Sequence, residues 1–386
     1  MDSPVSRRRA LRIVGVGAAG LAGCVGSDDG TGADSQPVGG TEAPGVSTFQ
    51  YNPSRTGGPR NGSGPTDSGT EQWRFEAGGG IGRSLAVVDD TVYFGSSDGN
   101  LYAVATDGTE RWSFETGGGI GSSPAVFDDT VYFGSVDQHI YAVAASDGTE
   151  QWAFETDSFV QSSPAVVGGT VYSGSGDGSL YALDAADGSE QWTVGKLFVG
   201  GSPAVVDDTL YIGSGNTVNA IAIDDGTERW TFETQQAEGT TPAVADDMVY
   251  LRRDQMVYAL ALRDGTEQWV FETDGFWGAF GSAPPAVDDD TVYAGSDRSV
   301  YALALRDGTE RWSFETGDTV VSSPAVIDDT VFVGGKDGVV YALAASDGTE
   351  RWRFETGDSS LSSPVVVDGT LYVGSIDGTV YALSDR

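Results

Sequence analysis

The sequence predicts an all-β protein, an eight-bladed β-propeller whose blades are four-stranded antiparallel sheets. One pattern of about forty residues recurs along the chain, and Ser122–Trp152 is a complete copy of it. A tryptophan recurs at the same place in each copy, at Trp73, Trp112, Trp152, Trp192, Trp230, Trp269, Trp312 and Trp352. A fixed period of this length, built from short strands and turns, is typical of a propeller.

Each copy contains four predicted strands. In the copy that starts at Ser122 they are Pro124–Phe127, Thr130–Gly134, His139–Ala144 and Glu150–Glu155. The first three are almost entirely apolar, as expected for strands buried between neighbouring blades. The fourth alternates apolar and polar residues, as expected for an outer edge strand. Asp-Asp and Asp-Gly pairs connect the strands, and these residues tolerate the positive φ of tight turns.

The two ends of the repeat region complement each other. The segment Glu71–Glu76 reads as a fourth strand that has no first three strands before it. The last three strands, Pro364–Val367, Thr370–Gly374 and Thr379–Leu383, have no fourth strand after them. We therefore expect the N-terminal strand to complete the C-terminal blade, which closes the ring and removes the open edges.

The residues before the propeller read as an export signal and a tether. Residues 1–23 contain the arginine pair Arg7 and Arg8, which resembles a twin-arginine signal, and end in a lipobox-like Leu-Ala-Gly before Cys24. Cys24 is the only cysteine, so no intrachain disulfide can form and lipidation is its predicted role. Residues 24–48 have the composition of a disordered tether. Residues 49–67 read as a strap or further linker, and the propeller is predicted at 68–386.

The composition is strongly acidic. The formal net charge is −36, and Lys196 and Lys336 are the only lysines. A nucleic-acid partner is excluded, because phosphate binding needs a positive surface. An acidic, lysine-poor surface indicates a halophile, since molar salt shortens the range over which carboxylates repel one another. Together with the arginine pair and the lipobox, this composition favours a haloarchaeal exported lipoprotein.

The spacing of Ala142, Gly148 and Trp152 resembles the tryptophan-docking motif of the pyrroloquinoline-quinone-type propeller repeat family. The same spacing recurs in five later copies, and the copy at Ala103 is one residue short. The resemblance covers residues 68–386. It implies that the tryptophans dock between blades beside a small alanine, so the eight repeat tryptophans are predicted to be structural.

The family contains two branches that differ in function. Quinoprotein dehydrogenases hold the quinone with Ca²⁺ on the propeller axis, and many carry a vicinal cysteine pair, which this sequence lacks. The other branch resembles the lipid-anchored propeller of the outer-membrane assembly machinery, which is a non-enzymatic scaffold. The sequence shows no catalytic triad and no metal-binding motif. It favours a surface-anchored scaffold for a protein or carbohydrate partner without cofactor or metal, and a quinone-dependent dehydrogenase of alcohols or sugars is the alternative.

A candidate binding face follows from the predicted topology. The loops from strand four into the next blade and the turns between strands two and three share one face, here called the variable face, because most departures from the repeat lie there. Exposed aromatic residues beside arginine are typical of binding hot spots, whereas drift in unconstrained loops would produce the same variability. The candidate residues are Arg83, His139, Phe159, Gln161, Lys196, Phe198, Arg252, Arg253, Phe276, Trp277, Phe280, Arg298 and Lys336.

Overall fold

The computed structural model describes residues 64–195, 197, 201–234, 240–253, 255–274, 283–358 and 362–385. The chain divides into two units, Met1–Val38 and Gly39–Arg386, and all described residues belong to the second. The predicted signal residues Arg7 and Arg8, the lipidation residue Cys24, and the tether at 24–48 lie outside the described residues. The predictions made for them are therefore still untested.

The described residues form eight four-stranded antiparallel sheets, which confirms the predicted eight-bladed propeller. The N-terminal strand is β1 (Thr70–Glu76). Blade 1 contains β2 (Ala86–Val88), β3 (Thr91–Gly95), β4 (Asn100–Ala105) and β5 (Glu110–Glu115). Blade 2 contains β6 (Ala125–Phe127), β7 (Thr130–Gly134), β8 (His139–Ala144) and β9 (Glu150–Glu155). Blade 3 contains β10 (Ala165–Val167), β11 (Thr170–Gly174), β12 (Ser179–Asp184) and β13 (Glu190–Gly195).

The remaining blades follow the same order. Blade 4 contains β14 (Ala204–Val206), β15 (Thr209–Ser214), β16 (Thr217–Ala222) and β17 (Glu228–Glu233). Blade 5 contains β18 (Ala243–Ala245), β19 (Met248–Arg253), β20 (Met256–Ala261) and β21 (Glu267–Glu272). Blade 6 contains β22 (Ala286–Asp288), β23 (Thr291–Ser296), β24 (Ser299–Ala304) and β25 (Glu310–Glu315). Blade 7 contains β26 (Ala325–Ile327), β27 (Thr330–Gly334), β28 (Val339–Ala344) and β29 (Glu350–Glu355). Blade 8 contains β30 (Val365–Val367), β31 (Thr370–Gly374), β32 (Thr379–Ser384) and β1.

The hydrophobic core lies between neighbouring blades. One cluster joins Leu101 of blade 1 to Val131 and Phe133 of blade 2, and all three side chains are fully buried. The first strands of the blades lie side by side around the axis, and β30 contacts β2 to complete the circle. In blade 2 the first strand begins at Ala125, one residue later than predicted, because Pro124 has no backbone N–H to give to the sheet.

Tight turns connect the first and second strands of each blade. In seven blades the first residue of the two-residue turn is an aspartate with a positive φ. These residues are Asp89, Asp128, Asp207, Asp246, Asp289, Asp328 and Asp368. Blade 3 has Gly168 at this position, also with a positive φ. Aspartate and glycine are the residues that adopt this conformation at low cost, so the sequence specifies the hairpins directly.

Each repeat tryptophan contacts the next blade and so stabilises the packing of its own blade against it. The Nε1 atom of Trp152 donates a hydrogen bond of 3.0 Å to the carbonyl oxygen of Ala185 in blade 3. A Cβ atom at Gly188, also in blade 3, would lie 2.7 Å from the Trp152 ring. The glycine of each motif therefore makes room for the tryptophan of the preceding blade, whereas the alanine of the motif, such as Ala142, pairs with the tryptophan of its own blade.

The N-terminal strand closes the ring as predicted. Strand β1 pairs antiparallel with β32, with Trp73 opposite Ala382. Closure also uses residues before the predicted boundary at 68. The Nε1 atom of Trp352 donates a hydrogen bond of 2.7 Å to the Pro65 carbonyl oxygen. The carboxylate of Asp385 accepts hydrogen bonds from the backbone N–H groups of residues 66, 67 and 68. The propeller therefore includes the end of the segment that we expected to be a strap or linker.

Candidate functional site

The variable face carries both the loops that enter each blade and the turns between second and third strands. Three of the four exposed large hydrophobic residues in the described part of the chain lie there, namely Val136, Phe159 and Ile376, with exposures of 43%, 46% and 46%. The fourth, Val270, lies in the outer strand β21. Val136 and Ile376 were not among the predicted residues. A comparison of the repeats could have found them, because the other blades with this turn have Ser, Gly or Lys at the same place.

The aspartates of these turns have structural partners. The carboxylate of Asp137 accepts hydrogen bonds from the Tyr141 hydroxyl at 2.8 Å and from the backbone N–H of Gly117 at 2.8 Å. Asp177 accepts from the Tyr181 hydroxyl and from the backbone N–H of residue 157 in the same way. Each carboxylate thus stabilises its own turn and the loop that arrives from the preceding blade. These two contacts account for an aspartate at this position, and no bound ligand is needed to explain it.

The predicted residues His139, Arg298 and Lys336 lie in or beside these turns. The His139 ring contacts the Asp137 carbonyl oxygen at 3.0 Å through Nδ1. Arg298 is exposed, and its Nη2 atom donates to the carbonyl oxygen of Gly317 at 2.6 Å. Lys336 is exposed as well. These residues belong to different blades, 2, 6 and 7, and the structure does not bring them into one cluster.

The predicted exposure of Arg252 and Arg253 is wrong. Both residues end strand β19 and are only 1% exposed. They occupy the positions that Gly213 and Ser214 have in blade 4, the last two residues of the second strand. Arg253 donates from Nη2 to the carbonyl oxygen of Gly215 in blade 4. Side chains at this position point between blades, so substitutions there are expected to act on folding rather than on capture of a partner.

Several predicted residues lie outside the described residues, so their predictions are untested. They are Lys196, Phe198, Phe276, Trp277 and Phe280.

Five residues from the loops and turns of three consecutive blades make two contacts on the variable face, one around Gly121 and one at Gly176. The Nε atom of Arg83, three residues before β2, donates a hydrogen bond of 3.0 Å to the Gly121 carbonyl oxygen. A Cβ atom at Gly121 would lie 3.0 Å from Cγ of Gln161, so the glutamine side chain packs over this glycine. Phe159 belongs to the same loop as Gln161, and its ring covers Gly176, whose Cβ atom would lie 2.7 Å from it. We call Arg83, Gly121, Phe159, Gln161 and Gly176 the axial cluster.

Arg83 is exposed to solvent, and desolvation by the surrounding protein lowers the pKa of its guanidinium. Among the described residues no carboxylate forms an ion pair with Arg83, whereas Arg74, Arg229, Arg311, Arg351 and Arg353 are each paired with one.

The residues next to the axis carry hydroxyl groups. Backbone N–H groups of one blade donate to side-chain oxygens of the next, from Ser123 to Ser163 at 2.9 Å, from Ser163 to Ser202 at 2.9 Å and from Ser202 to Thr241 at 3.0 Å. The described residues include no group of three or more His, Cys, Asp or Glu side chains that could hold a metal ion.

Buried tyrosines make the fold sensitive to alkali. Burial is the main cause that raises the pKa of Tyr181 and Tyr211 to about 12, and a hydrogen bond to Asp177 contributes at Tyr181. A raised pKa means that the native state keeps a proton that the unfolded state loses near pH 10. The stability is therefore complete below about pH 10 and is lost as the pH rises towards about 12. Additional phenolate charge on an acidic protein acts in the same direction.

We expect the melting temperature to fall steadily above about pH 10, and the ultraviolet absorbance of the buried tyrosines' phenolates to rise as the protein unfolds. Tyr181→Phe removes one of these ionisable groups and should make the fall less steep. Phenolate absorbance that rises fully before any loss of structure would contradict the prediction.

The described residues contain no helix with the length and apolar character needed to span a membrane.

The comparisons with known proteins agree with this architecture. A family profile described as outer membrane protein assembly factor BamB matches residues 65–195, 176–319 and 296–386. No curated protein matches the sequence.

Among solved structures, BamB from Moraxella catarrhalis superposes with a TM-score of 0.71 at 21% identity, covering 82% of this chain and 98% of that one. Quinohemoprotein alcohol dehydrogenase from Comamonas testosteroni superposes with a TM-score of 0.76 at 15% identity, covering 88% and 80%. A europium-containing methanol dehydrogenase gives a TM-score of 0.76 at 15% identity, covering 89% and 98%. At these identities the structural likeness establishes the fold and leaves the activity open.

Proposed function

The chain belongs to the family described as outer membrane protein assembly factor BamB, and from this we propose that it is a non-enzymatic propeller that holds a protein partner on its variable face. The observation that carries the proposal is the concentration of exposed apolar side chains on that face, at Val136, Phe159 and Ile376. Val136 lies in blade 2, Ile376 in blade 8 and Phe159 in the loop between blades 2 and 3. The three side chains are therefore distributed over the part of the ring that runs from blade 8 to blade 3. Exposed apolar residues that share one face are typical of a surface that contacts another protein.

The opposite face supports the same choice. Its turns carry exposed aspartates whose positive φ accounts for their residue type, as at Asp128 and Asp328. Several of the neighbouring carboxylates pair with arginine on the outer strand, for example Asp208 with Arg229 at 2.7 Å. This face is a regular, charged and hydrated surface, which is a poor site for apolar contact.

Site-specific photo-crosslinking in intact cells tests the proposal. A photoreactive phenylalanine analogue at position 159 should give one dominant protein adduct. The same analogue at position 128, on the opposite face, should not give that adduct and serves as the control. A glycan adduct at position 159 would instead identify the carbohydrate partner that the sequence left open. Equal adducts from both positions would place the binding surface elsewhere.

A quinone-dependent dehydrogenase is the second candidate. It is favoured by the structural likeness to two dehydrogenases of alcohols, with TM-scores of 0.76. Among the described residues, no group of three or more His, Cys, Asp or Glu side chains could hold a metal ion. A visible absorption spectrum with calcium analysis of the natively purified protein separates the two functions, because a bound quinone absorbs and a bare propeller does not.

We further propose that the protein is exported through the twin-arginine route and anchored by a lipid on Cys24 to the extracytoplasmic face of the cell membrane. The support is the order of Arg7, Arg8, a short apolar stretch and the lipobox-like residues before Cys24.

Arg7→Lys combined with Arg8→Lys should retain the precursor inside the cell. Cys24→Ser should release the exported protein from the membrane fraction, because the lipid is then missing. Both are measured by cell fractionation and immunoblotting, with Ser27→Ala as the matched control next to the cysteine. A Cys24→Ser protein that still sediments with membranes after a high-salt wash would exclude the lipid anchor.

A further inference from the structure

The axial cluster differs from the rest of the variable face in its chemistry. It combines one cation, one amide side chain and one exposed aromatic ring, contributed by Arg83, Gln161 and Phe159. The corresponding positions in the repeat show that these residues are departures from it. Arg83 stands where blades 2 and 3 have Ser122 and Ser162, and Gln161 stands where blade 2 has Gly121.

The geometry holds the Arg83 side chain ready for an anion. Its Nε atom is fixed on the Gly121 carbonyl oxygen at 3.0 Å, and the described residues give it no carboxylate partner. The terminal guanidinium nitrogens are the donors that form paired hydrogen bonds with a carboxylate.

The aromatic ring is equally fixed. Phe159 lies against Gly176 of blade 3, where any side chain would collide with the ring, since a Cβ atom would be 2.7 Å away. The loop that carries Phe159 is also anchored, because the Gly176 backbone N–H donates to the Phe159 carbonyl oxygen at 2.9 Å. A rigid exposed ring loses little conformational entropy on binding, which is the property of an anchor residue at an interface.

Given the proposed function, on which this step rests, we propose that the axial cluster recognises an extended peptide segment of the partner. In that segment an acidic residue lies beside a large apolar residue. Arg83 pairs with the carboxylate, Phe159 packs on the apolar side chain, and the Gln161 amide bonds to the peptide backbone between them. The cluster draws on loops that enter three consecutive blades, which suits a peptide segment rather than a small anion. Molar salt screens the negative body at a distance, whereas a contact ion pair is screened less.

The experiment uses the mature protein, immobilised at the salt concentration at which it is folded, in a selection from a random peptide library displayed on phage. We expect the selected peptides to be enriched in Asp or Glu next to Leu, Ile, Val, Phe or Trp. Individual synthetic peptides from the selection are then measured by titration against variants. Arg83→Gln should weaken them by about tenfold to a hundredfold, and Phe159→Ser should weaken them comparably.

Arg298→Gln is the matched control, because Arg298 is an exposed arginine on the same face that also donates to a backbone carbonyl oxygen. It should leave the affinity unchanged, and all variants should keep the melting temperature of the parent protein. A selected peptide in which Glu is replaced by Gln should bind Arg83→Gln and the parent protein equally, which shows that the two charges meet each other.

Any of the following results would overturn the inference. Peptides without acidic enrichment, or with affinities unaffected by Arg83→Gln, would remove the carboxylate pairing. A library that yields no binders would do the same. Succinate that displaces the peptides and binds independently of Phe159 would make Arg83 a small-anion site. Peptides that lose affinity with Ile376→Ser but not with Arg83→Gln would leave the proposed function standing and refute only the axial cluster. Peptides insensitive to every variant on this face would count against both.

Discussion

A chain that lacks residues 1–79 is expected to lose the cooperative melting of the parent protein. This deletion removes β1, so the edge of β32 is left open, and it removes the Pro65 carbonyl oxygen that accepts the hydrogen bond from Trp352. The backbone partners of the Asp385 carboxylate are removed at the same time. We expect a ring that melts tens of degrees lower or aggregates on purification, since an unpaired strand edge is a template for association.

The matched control is a chain that lacks only residues 1–63 and keeps the closing contacts of Pro65, β1 and Asp385. It should melt like the mature protein, which separates closure from the mere loss of an N-terminal segment. Trp352→Ala tests one closing contact alone. It removes a side chain that is 8% exposed and should cost about 3–5 kcal/mol of unfolding free energy, as large core truncations do. Melting of the 1–79 deletion at the parent temperature would refute closure as a source of stability.

Raising the salt concentration from dilute buffer to the molar range is expected to raise the melting temperature by at least ~10 °C, because the net charge of −36 belongs to one chain whose carboxylates repel one another. The screening length falls from about 10 Å at 0.1 M salt to about 3 Å at 1 M, so repulsion beyond nearest neighbours disappears. Melting followed by tryptophan fluorescence in a potassium chloride series measures the effect. A melting temperature that does not change across the series would refute it.

A charge-reduced variant provides the control for salt. The seven aspartates at the first position of these turns, from Asp89 to Asp368, can be replaced by asparagine, which has the same shape and also tolerates this conformation. These substitutions remove seven negative charges and leave the paired aspartates, such as Asp208, in place. The variant should need less salt for the same melting temperature. An unchanged salt requirement would show that the turns do not contribute to the repulsion.

The arginine pair of blade 5 shows where sequence reasoning failed. Arg252 and Arg253 are charged residues next to a predicted turn, and such residues are usually exposed. The second strand of blade 5 is six residues long, as in blades 4 and 6, whereas in blades 1, 2, 3, 7 and 8 it is five residues long. The two arginines are therefore strand residues, and their direction depends on the register of the strand rather than on their charge.

The axial cluster illustrates what the sequence could give only in part. Arg83, Phe159 and Gln161 were predicted as separate departures from the repeat, on the same face. That Arg83 contacts the loop of the next blade, 38 positions along the chain, and that Gln161 packs over Gly121 follow from the packing of consecutive blades. The sequence does not encode these contacts locally, because each joins residues about one period apart, where small changes in loop path decide which side chains meet.

The sequence by itself determined the number of blades, the strands within them and the closure by β1, because every repeat states the same pattern of apolar strands and turn residues and the ends of the pattern are complementary. The alternation of apolar and polar residues also identified the Trp-bearing fourth strands as the outer strands of the blades. The tertiary structure alone decided that the motif glycines face the tryptophans of the preceding blade, that Arg252 and Arg253 are buried, and that Arg83 donates to Gly121. The physical reason is that periodicity specifies local structure, whereas burial and contact between blades depend on how neighbouring copies pack once the ring has closed.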